Sequence, residues 1–202
     1  MRPTVATARR FTVLALPGSI RRNSYNRMLL RAADDVAPVD IAIRHCEVLP
    51  EIPLFNEDLE ADEKLPEPVT KLDQLVAEAD GILLSTPEYN QSIPGVLKNA
   101  IDWLSRSTNL AGKPVAVIGA TSGRWGTRLA QAATRQTLMA TGAFVLPGPA
   151  LYVSNASHCF DVNGQLLDMA AREGLAAVTA ELARWVRTFH DRGEHAGRAA
   201  LP

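Results

Sequence analysis

The chain has 202 residues, of which 47% are hydrophobic and 21% are charged, and its formal net charge is −1. A chain of this length and balance can build one globular domain with a sizeable core. The near-zero net charge argues against partners that bind through a bulk positive field, such as nucleic acid or an anionic membrane, and against a strongly acidic electron carrier.

Apolar runs of strand length alternate with amphipathic helical stripes along the chain. After a flexible N-terminus at 1–10, strands are predicted at residues 11–16, 39–46, 81–85, 115–120 and, in a broken last strand, 144–146 with 151–153. Helices are predicted through residues 28–36, 68–79, 94–106, 127–141 and 168–190. This rhythm predicts one α/β domain over residues 11–190, a doubly wound three-layer sandwich with a parallel sheet, and a disordered tail at 191–202.

The remaining composition gives few signs of other chemistry. Cys46 and Cys159 are far apart and neither lies in a CxxC motif, so neither a disulfide framework nor a zinc site is expected. The histidines show no ligand spacing, and no metal is expected. No apolar run has the length of a signal peptide or a membrane span, and the pattern is that of a cytoplasmic protein. The long acidic connection at 47–68 is typical of a lid or an interface.

Three loops follow central strands directly, at residues 17–26, 87–94 and 121–126. Because the carboxyl ends of parallel strands meet at one edge of a sheet, we expect these loops to converge on one crevice. The crevice is therefore the predicted ligand site.

The first loop combines two hydroxyls, a guanidinium and an amide just before a helix, from Ser19, Arg21, Ser24 and Asn26. Free N–H groups at the helix start would add a partial positive charge, and together these groups indicate a phosphate site. The alternative is that Ser24 or Asn23 only caps the helix.

The second loop offers an aromatic edge, amides and backbone donors between Pro87 and Pro94. Such a loop can hold a flat heterocycle, although an ordinary turn needs similar residues. Glu88 is expected to brace the loop, because an apolar ring surface rarely favours a nearby carboxylate.

The absence of several known motifs limits the classes of ligand that this crevice is expected to bind. The sequence lacks GxxxxGK[ST] and has no GxGxxG after the first strand, and the third strand does not end in a phospho-accepting aspartate. A mononucleotide remains, with its ring across the second and third loops and its phosphate on the first.

Three stretches, GSIRRNSYN, PEYNQSIPGVLKNAIDWLSR and GKPVAVIGATSGRWGTRLAQ, resemble the signatures of the NADPH-dependent FMN reductase family, which includes bacterial chromate and quinone reductases. The resemblance implies a flavodoxin-like fold with a five-stranded parallel sheet of order 2-1-3-4-5. It also implies FMN contacts, with the phosphate held by Ser19, Arg21, Ser24 and Asn26, the isoalloxazine bordered by Pro87, Glu88, Tyr89 and Asn90, and the flavin flanked by Thr121, Ser122 and Gly123.

One departure from the family pattern affects the open face of the flavin. Many relatives carry a glycine pair and Arg-Ala-Gln after the third loop, whereas this chain has the bulky pair Arg124 and Trp125 followed by GTRLAQ at 126–131. We expect a narrower face for the nicotinamide or the acceptor.

The resemblance implies an enzyme in which hydride passes from NADPH or NADH to flavin N5 and then to a quinone, azo or metal-oxyanion acceptor, with ping-pong kinetics. The flavin would carry the chemistry, and no side chain is required as an acid or base. Homodimers or homotetramers are also implied, with Asn99, Asp102 and Arg106 as interface candidates. Helical spacing separately places Trp103 off the apolar face formed by Leu97, Ile101 and Leu104, so Trp103 is expected to join a subunit contact. The alternatives are an FMN-binding electron carrier or redox sensor, and a nucleotide-binding regulatory module without flavin.

Overall fold

The computed structural model describes residues 9–60 and 64–199, with side chains described as far as Asp191. The chain forms six strands and five α-helices within these residues. The strands are β1 (Phe11–Pro17), β2 (Ile41–His45), β3 (Gly81–Ser85), β4 (Pro114–Ala120), β5 (Phe144–Val145) and β6 (Leu151–Val153). The helices are α1 (Tyr25–Ala32), α2 (Glu67–Glu78), α3 (Gly95–Leu104), α4 (Arg128–Ala140) and α5 (Met169–Ala199).

The sheet is parallel throughout and has the order β2-β1-β3-β4-β5. Every residue of β3 and β4 is buried, as their nearly uninterrupted apolar sequences predict. The flanking β6 pairs with the carboxyl half of β4, and β5 pairs with its amino half. The predicted break in the last strand is therefore confirmed, and it falls at the Pro147-Gly148-Pro149 segment, where proline removes ladder donors.

Helices cover both faces of the sheet. One core cluster joins α1 and α5 to one face, and a second joins α2, α3 and α4 to the other. The predicted α/β class, the three layers and the strand order 2-1-3-4-5 are confirmed.

Helix α5 continues to Ala199, beyond the predicted end near residue 190. Its backbone is thus helical over most of the segment assigned from sequence to a tail, while residues 200–202 lie outside the described part, as do residues 1–8 of the predicted N-terminus. The glycines at 193 and 197 each destabilise a helix by about 1 kcal/mol. The helix nevertheless continues through them, because the neighbouring Arg, Glu and Ala residues favour helix formation. None of the described helices is both long and apolar enough to cross a membrane.

The connection after β2 packs onto α3, which corrects the prediction for Trp103. That side chain is 2% exposed rather than free for a subunit contact. Its Nε1 donates to the Pro53 carbonyl at 2.9 Å, and its ring meets Phe55 edge to face with centroids 4.9 Å apart. Asn99 accepts from the Phe55 N–H at 2.7 Å and donates to the same Pro53 carbonyl, so the connection is fixed on the helix.

Candidate functional site

A cavity of about 240 Å³ lies at the carboxyl edge of the sheet, beyond the ends of β1, β3 and β4. All three predicted loops contribute to it, so the predicted convergence is confirmed. The lining residues are Ser19, Arg21, Ser24, Tyr25, Asn26, Pro87, Glu88, Tyr89, Ala120, Thr121 and Ser122.

Of the predicted site residues, only Asn90 and Gly123 are absent from this lining. Tyr25 and Ala120 line the cavity without having been predicted. Each adjoins a predicted residue, Tyr25 after the Ser24 cap and Ala120 before Thr121, and this adjacency was the available signal. A second groove of about 410 Å³ lies at the opposite, amino edge of the sheet and shares no residue with the three loops.

The hydroxyls of Ser19 and Ser24 are buried, with 3% and 2% of each residue exposed. Ser24 is the N-cap of α1, and its Oγ accepts from the Asn26 N–H at 3.2 Å. Ser19 Oγ accepts from the Arg21 N–H at 3.3 Å. Ser24 therefore caps α1, as the alternative predicted, but capping does not prevent it from binding an anion as well. Because each oxygen acts as an acceptor, its own proton can still be donated to an anion.

Arg21 supplies the positive charge at this edge. Its Cζ lies 5.7 Å from the centroid of the Tyr25 ring, and no carboxylate in the described part of the chain pairs with it. The first turn of α1 holds no acidic residue. The two hydroxyls, the helix start and this guanidinium together fit a phosphate group.

Asn26 connects the loops instead of facing the cavity with free polar atoms. Its Oδ1 accepts from Ser85 Oγ at 2.8 Å and from the Ala120 N–H at 2.9 Å, and its Nδ2 donates to the Ala120 carbonyl at 2.8 Å. The side chain thereby ties the start of α1 to the ends of β3 and β4. The structure gives it a positioning role that the sequence pattern did not reveal.

The second loop is a two-residue hairpin. The backbones of Tyr89 and Ser92 exchange both hydrogen bonds, at 3.2 and 3.0 Å, and Asn90 and Gln91 between them have φ values of 50° and 62°. Positive φ at both central positions is the geometry of a tight type I′ turn. Tyr89 is 50% exposed at the mouth of the cavity. The turn alternative is therefore correct for the backbone, and the hairpin also fixes Tyr89 at the site.

Glu88 has a structural role, as predicted, but it braces helix α4 as well as holding its own loop against that helix. Its Oε2 accepts from the N–H groups of Leu129 and Ala130 at 2.9 and 3.0 Å, in the first turn of that helix. Thr127, the N-cap residue, provides no side-chain capping bond, because its Oγ1 accepts from Gln131 Nε2. The carboxylate thus caps the helix and interacts favourably with its dipole.

The third loop is held at its base by backbone bonds to the chain around β6. Thr121 donates to the Val153 carbonyl and accepts from the Ala156 N–H, each at 2.9 Å. At Gly119, one residue earlier in β4 than Ala120, a Cβ would lie 2.1 Å from Thr127 Oγ1 and 2.3 Å from the Thr86 carbonyl oxygen. Only glycine fits there, so the second and third loops approach closely.

The titratable groups of the site and its surroundings give no sign of a nucleophile or a metal. Burial raises the pKa of the Cys46 thiol and of the Cys159 thiol, which makes both thiols less reactive. Within the described residues, no group of three or more His, Cys, Asp and Glu side chains is placed to hold a metal ion.

A parallel sheet of this order, with an anion cradle after β1 and two further loops at the same edge, defines a mononucleotide-binding protein of the flavodoxin-like class. The family model of NADPH-dependent FMN reductases matches residues 11–158, which is more than half of the chain. The chain therefore belongs to the NADPH-dependent FMN reductase family, a family of oxidoreductases whose flavin is FMN and whose reductant is a nicotinamide coenzyme.

Individual relatives agree with this membership. The chain is 42% identical over 177 residues to an NAD(P)H-dependent FMN reductase from Pseudomonas aeruginosa, a match that covers 87% of this chain and 95% of the relative. It is 37% identical over 180 residues to a quinone reductase from Pseudomonas putida, covering 88% and 95%. Among solved structures, the flavoenzyme NAD(P)H:(acceptor) oxidoreductase FerB from Paracoccus denitrificans matches with a TM-score of 0.80 at 31% identity, covering 89% of this chain and 98% of that one.

Proposed function

We propose that the protein is an NAD(P)H-dependent, FMN-containing quinone reductase that works by a ping-pong mechanism. The observation that carries the proposal is the cradle after β1, where two buried hydroxyls, a helix start and the guanidinium of Arg21, which pairs with no carboxylate of the described residues, converge. The names of the two relatives, an FMN reductase and a quinone reductase, support the same function. Azo compounds and metal oxyanions are further acceptor classes to be tried after quinones.

In this mechanism the chain binds and orients, and FMN when bound supplies the hydride chemistry. Ser19, Ser24 and Arg21 hold the phosphate at the start of α1. The hairpin after β3 fixes Tyr89 at the mouth of the cavity. The backbone N–H groups of Glu88, Asn90 and Gln91 would stabilise negative charge at the ring edge, whereas the N–H of Tyr89 already donates to the Ser92 carbonyl.

No side chain is assigned as an acid or base. Glu88 is the only carboxylate among the residues that line the cavity, and it is held by two N–H groups of α4. Coenzyme and acceptor would then use one open face in turn, which is the reason for proposing ping-pong kinetics.

We also propose a homodimer or homotetramer in the cytoplasm. Asn99 and Arg106, two of the predicted interface residues, bind the connection instead, Arg106 through a double hydrogen bond to Glu60. The exposed Leu54 and Leu59 on that connection supply an apolar surface for subunit contact. Both cysteines are free and buried, which fits a reducing compartment. Sedimentation velocity on the purified protein tests the assembly.

Anaerobic stopped-flow mixing with NADPH and with NADH tests the enzymatic proposal. We expect the purified protein to be yellow, to bleach on mixing with at least one coenzyme, and to regain its colour when a quinone is added. A yellow protein that bleaches with neither coenzyme is an electron carrier or sensor. If the protein is colourless and takes up no FMN, the remaining hypothesis is a nucleotide-binding regulatory module without flavin.

A further inference from the structure

Arg124 and Trp125 belong to the third loop but are not among the residues that line the cavity. Only Gly123 separates them in sequence from Thr121 and Ser122, which do line the cavity, and Trp125 is 70% exposed. Arg124 Cζ lies 4.7 Å from the centroid of the Trp125 ring, so the two side chains form a stacked pair.

The backbone on both sides of the pair is fixed. On one side, the Gly123 carbonyl accepts from the Asn155 N–H at 3.0 Å, and the Gly123 N–H donates to Thr121 Oγ1 at 3.2 Å. On the other side, Gly126 has a φ of 72°, and a Cβ there would lie 2.9 Å from that of Tyr152. The loop therefore presents Arg124 and Trp125 from a defined backbone.

Several arginines lie in, or next to, the loops that contribute to the cavity, in a protein whose net charge is −1. Arg21, Arg124 and Arg128 have no carboxylate partner within the described residues. Glu88, which could have neutralised them, accepts from the N–H groups of α4. Arg21 belongs to the phosphate cradle, and Arg128 stacks on Tyr152 with its Cζ 4.5 Å from the ring centroid. Arg124, in contrast, lies against the exposed ring of Trp125.

We propose that Arg124 and Trp125 form an acceptor subsite that selects planar anions, molecules that carry a negative charge on an aromatic or quinonoid ring. Stacking uses the flat face of the guanidinium and leaves its N–H edge free to bind an oxyanion. The exposed indole can stack the ring of the same molecule. An ionised hydroxyquinone has both features within a few ångströms.

The spacing of the pair favours the acceptor over the coenzyme as the source of the anion. A molecule that contacts Arg124 and Trp125 at the same time must carry its negative charge next to its ring. The phosphates of NAD(P)H, in contrast, are separated from the nicotinamide by a ribose. The inference rests on the proposed function, and the reaction keeps its balance: NAD(P)H, a proton and the quinone give NAD(P)⁺ and the hydroquinone.

The kinetic test compares an ionised and a neutral acceptor with the flavin-loaded protein at neutral pH. The acceptors are 2-hydroxy-1,4-naphthoquinone, which is an anion, and 2-methyl-1,4-naphthoquinone, which is neutral. The quantity of interest is the ratio of their kcat/KM values. We expect Arg124→Gln to lower this ratio about tenfold, the effect of losing one charge-assisted hydrogen bond. Arg124→Lys should retain part of the preference, and Arg31→Gln, which removes an exposed charge from the last turn of α1, should leave the ratio unchanged.

Equilibrium binding gives a readout that does not depend on turnover. Calorimetry should show that the oxidised flavin-loaded protein binds salicylate, a planar anion, more tightly than the neutral salicylamide, and that Arg124→Gln abolishes the difference. The inference is wrong if neither measurement changes in Arg124→Gln. It is also wrong if only the KM for NADPH rises, because the arginine then serves a coenzyme phosphate. Failure of the wild-type protein to reduce either quinone would instead overturn the proposed function.

Discussion

At the scale of single residues, Arg21 is the group on which the phosphate assignment depends most directly. We expect Arg21→Ala to weaken FMN binding about tenfold, because a charge-assisted hydrogen bond contributes about 1.5 kcal/mol or somewhat more. Arg22→Ala is the matched control, since Arg22 is also exposed but does not line the cavity. Fluorescence titration of the apoprotein with FMN measures both variants. Equal affinities in the two variants would show that the phosphate binds elsewhere.

Asn26 leads to a different prediction, because its amide serves the protein itself. In Asn26→Ala the buried Ser85 hydroxyl and both backbone groups of Ala120 lose their partner. Leaving such groups unpaired costs about 1–3 kcal/mol, so the free energy of unfolding should fall by about 3 kcal/mol. Asn23→Ala changes an exposed asparagine of the same loop and should cost less than about 0.5 kcal/mol. Urea unfolding would contradict this account if the two variants were equally stable.

At the scale of elements, the hairpin after β3 and helix α4 are coupled through Glu88. Glu88→Ala removes the acceptor for two N–H groups of the helix start and should destabilise the protein by about 1–2 kcal/mol. Glu88→Gln keeps an acceptor oxygen and should lose less. Thermal unfolding measures the order of stability, wild type above Gln above Ala. An alanine variant as stable as the wild type would mean that the carboxylate does not cap α4.

The strands and the convergence of the loops could be predicted because they depend on local patterns. A run such as Gly81–Ser85 is apolar at four of five positions and β-compatible, and a parallel sheet places the carboxyl ends of its strands at one edge. The partners of individual side chains could not be predicted in this way. Asn26 bonds to residues 59 and 94 positions away, and Glu88 to residues 41 and 42 positions away, and no periodicity encodes such separations.

At the scale of the whole molecule, the burial of Trp103 is another feature that sequence periodicity could not predict. Helical spacing places it off the apolar face of α3, and that inference is sound for an isolated helix. The connection after β2 then covers it, with Pro53 as hydrogen-bond partner 50 residues away. A segment without periodicity of its own thus decides whether an aromatic side chain is core or surface, and only the folded chain reveals it.

One ion pair joins α5 to the residue before β2 and makes the free energy of unfolding depend on pH. Arg187 on α5 donates from Nε to Asp40 Oδ2 at 2.7 Å and from Nη2 to Oδ1 at 2.6 Å, across 147 residues, next to the start of β2. These hydrogen bonds from Arg187 hold the pKa of the Asp40 carboxyl below its ordinary value of 3.8.

Because the folded pKa of Asp40 is depressed, the pair stabilises the protein fully above the unfolded pKa and loses its effect as the pH falls through the folded one. The pair is partly exposed, so we expect a contribution below about 1 kcal/mol. Urea unfolding of the wild type and of Asp40→Asn at a series of pH values measures it. The difference in unfolding free energy should be largest near neutral pH and should shrink as the medium is acidified below the ordinary aspartate pKa. A difference that stays constant across that range would show that Asp40 acts through packing and not through its charge.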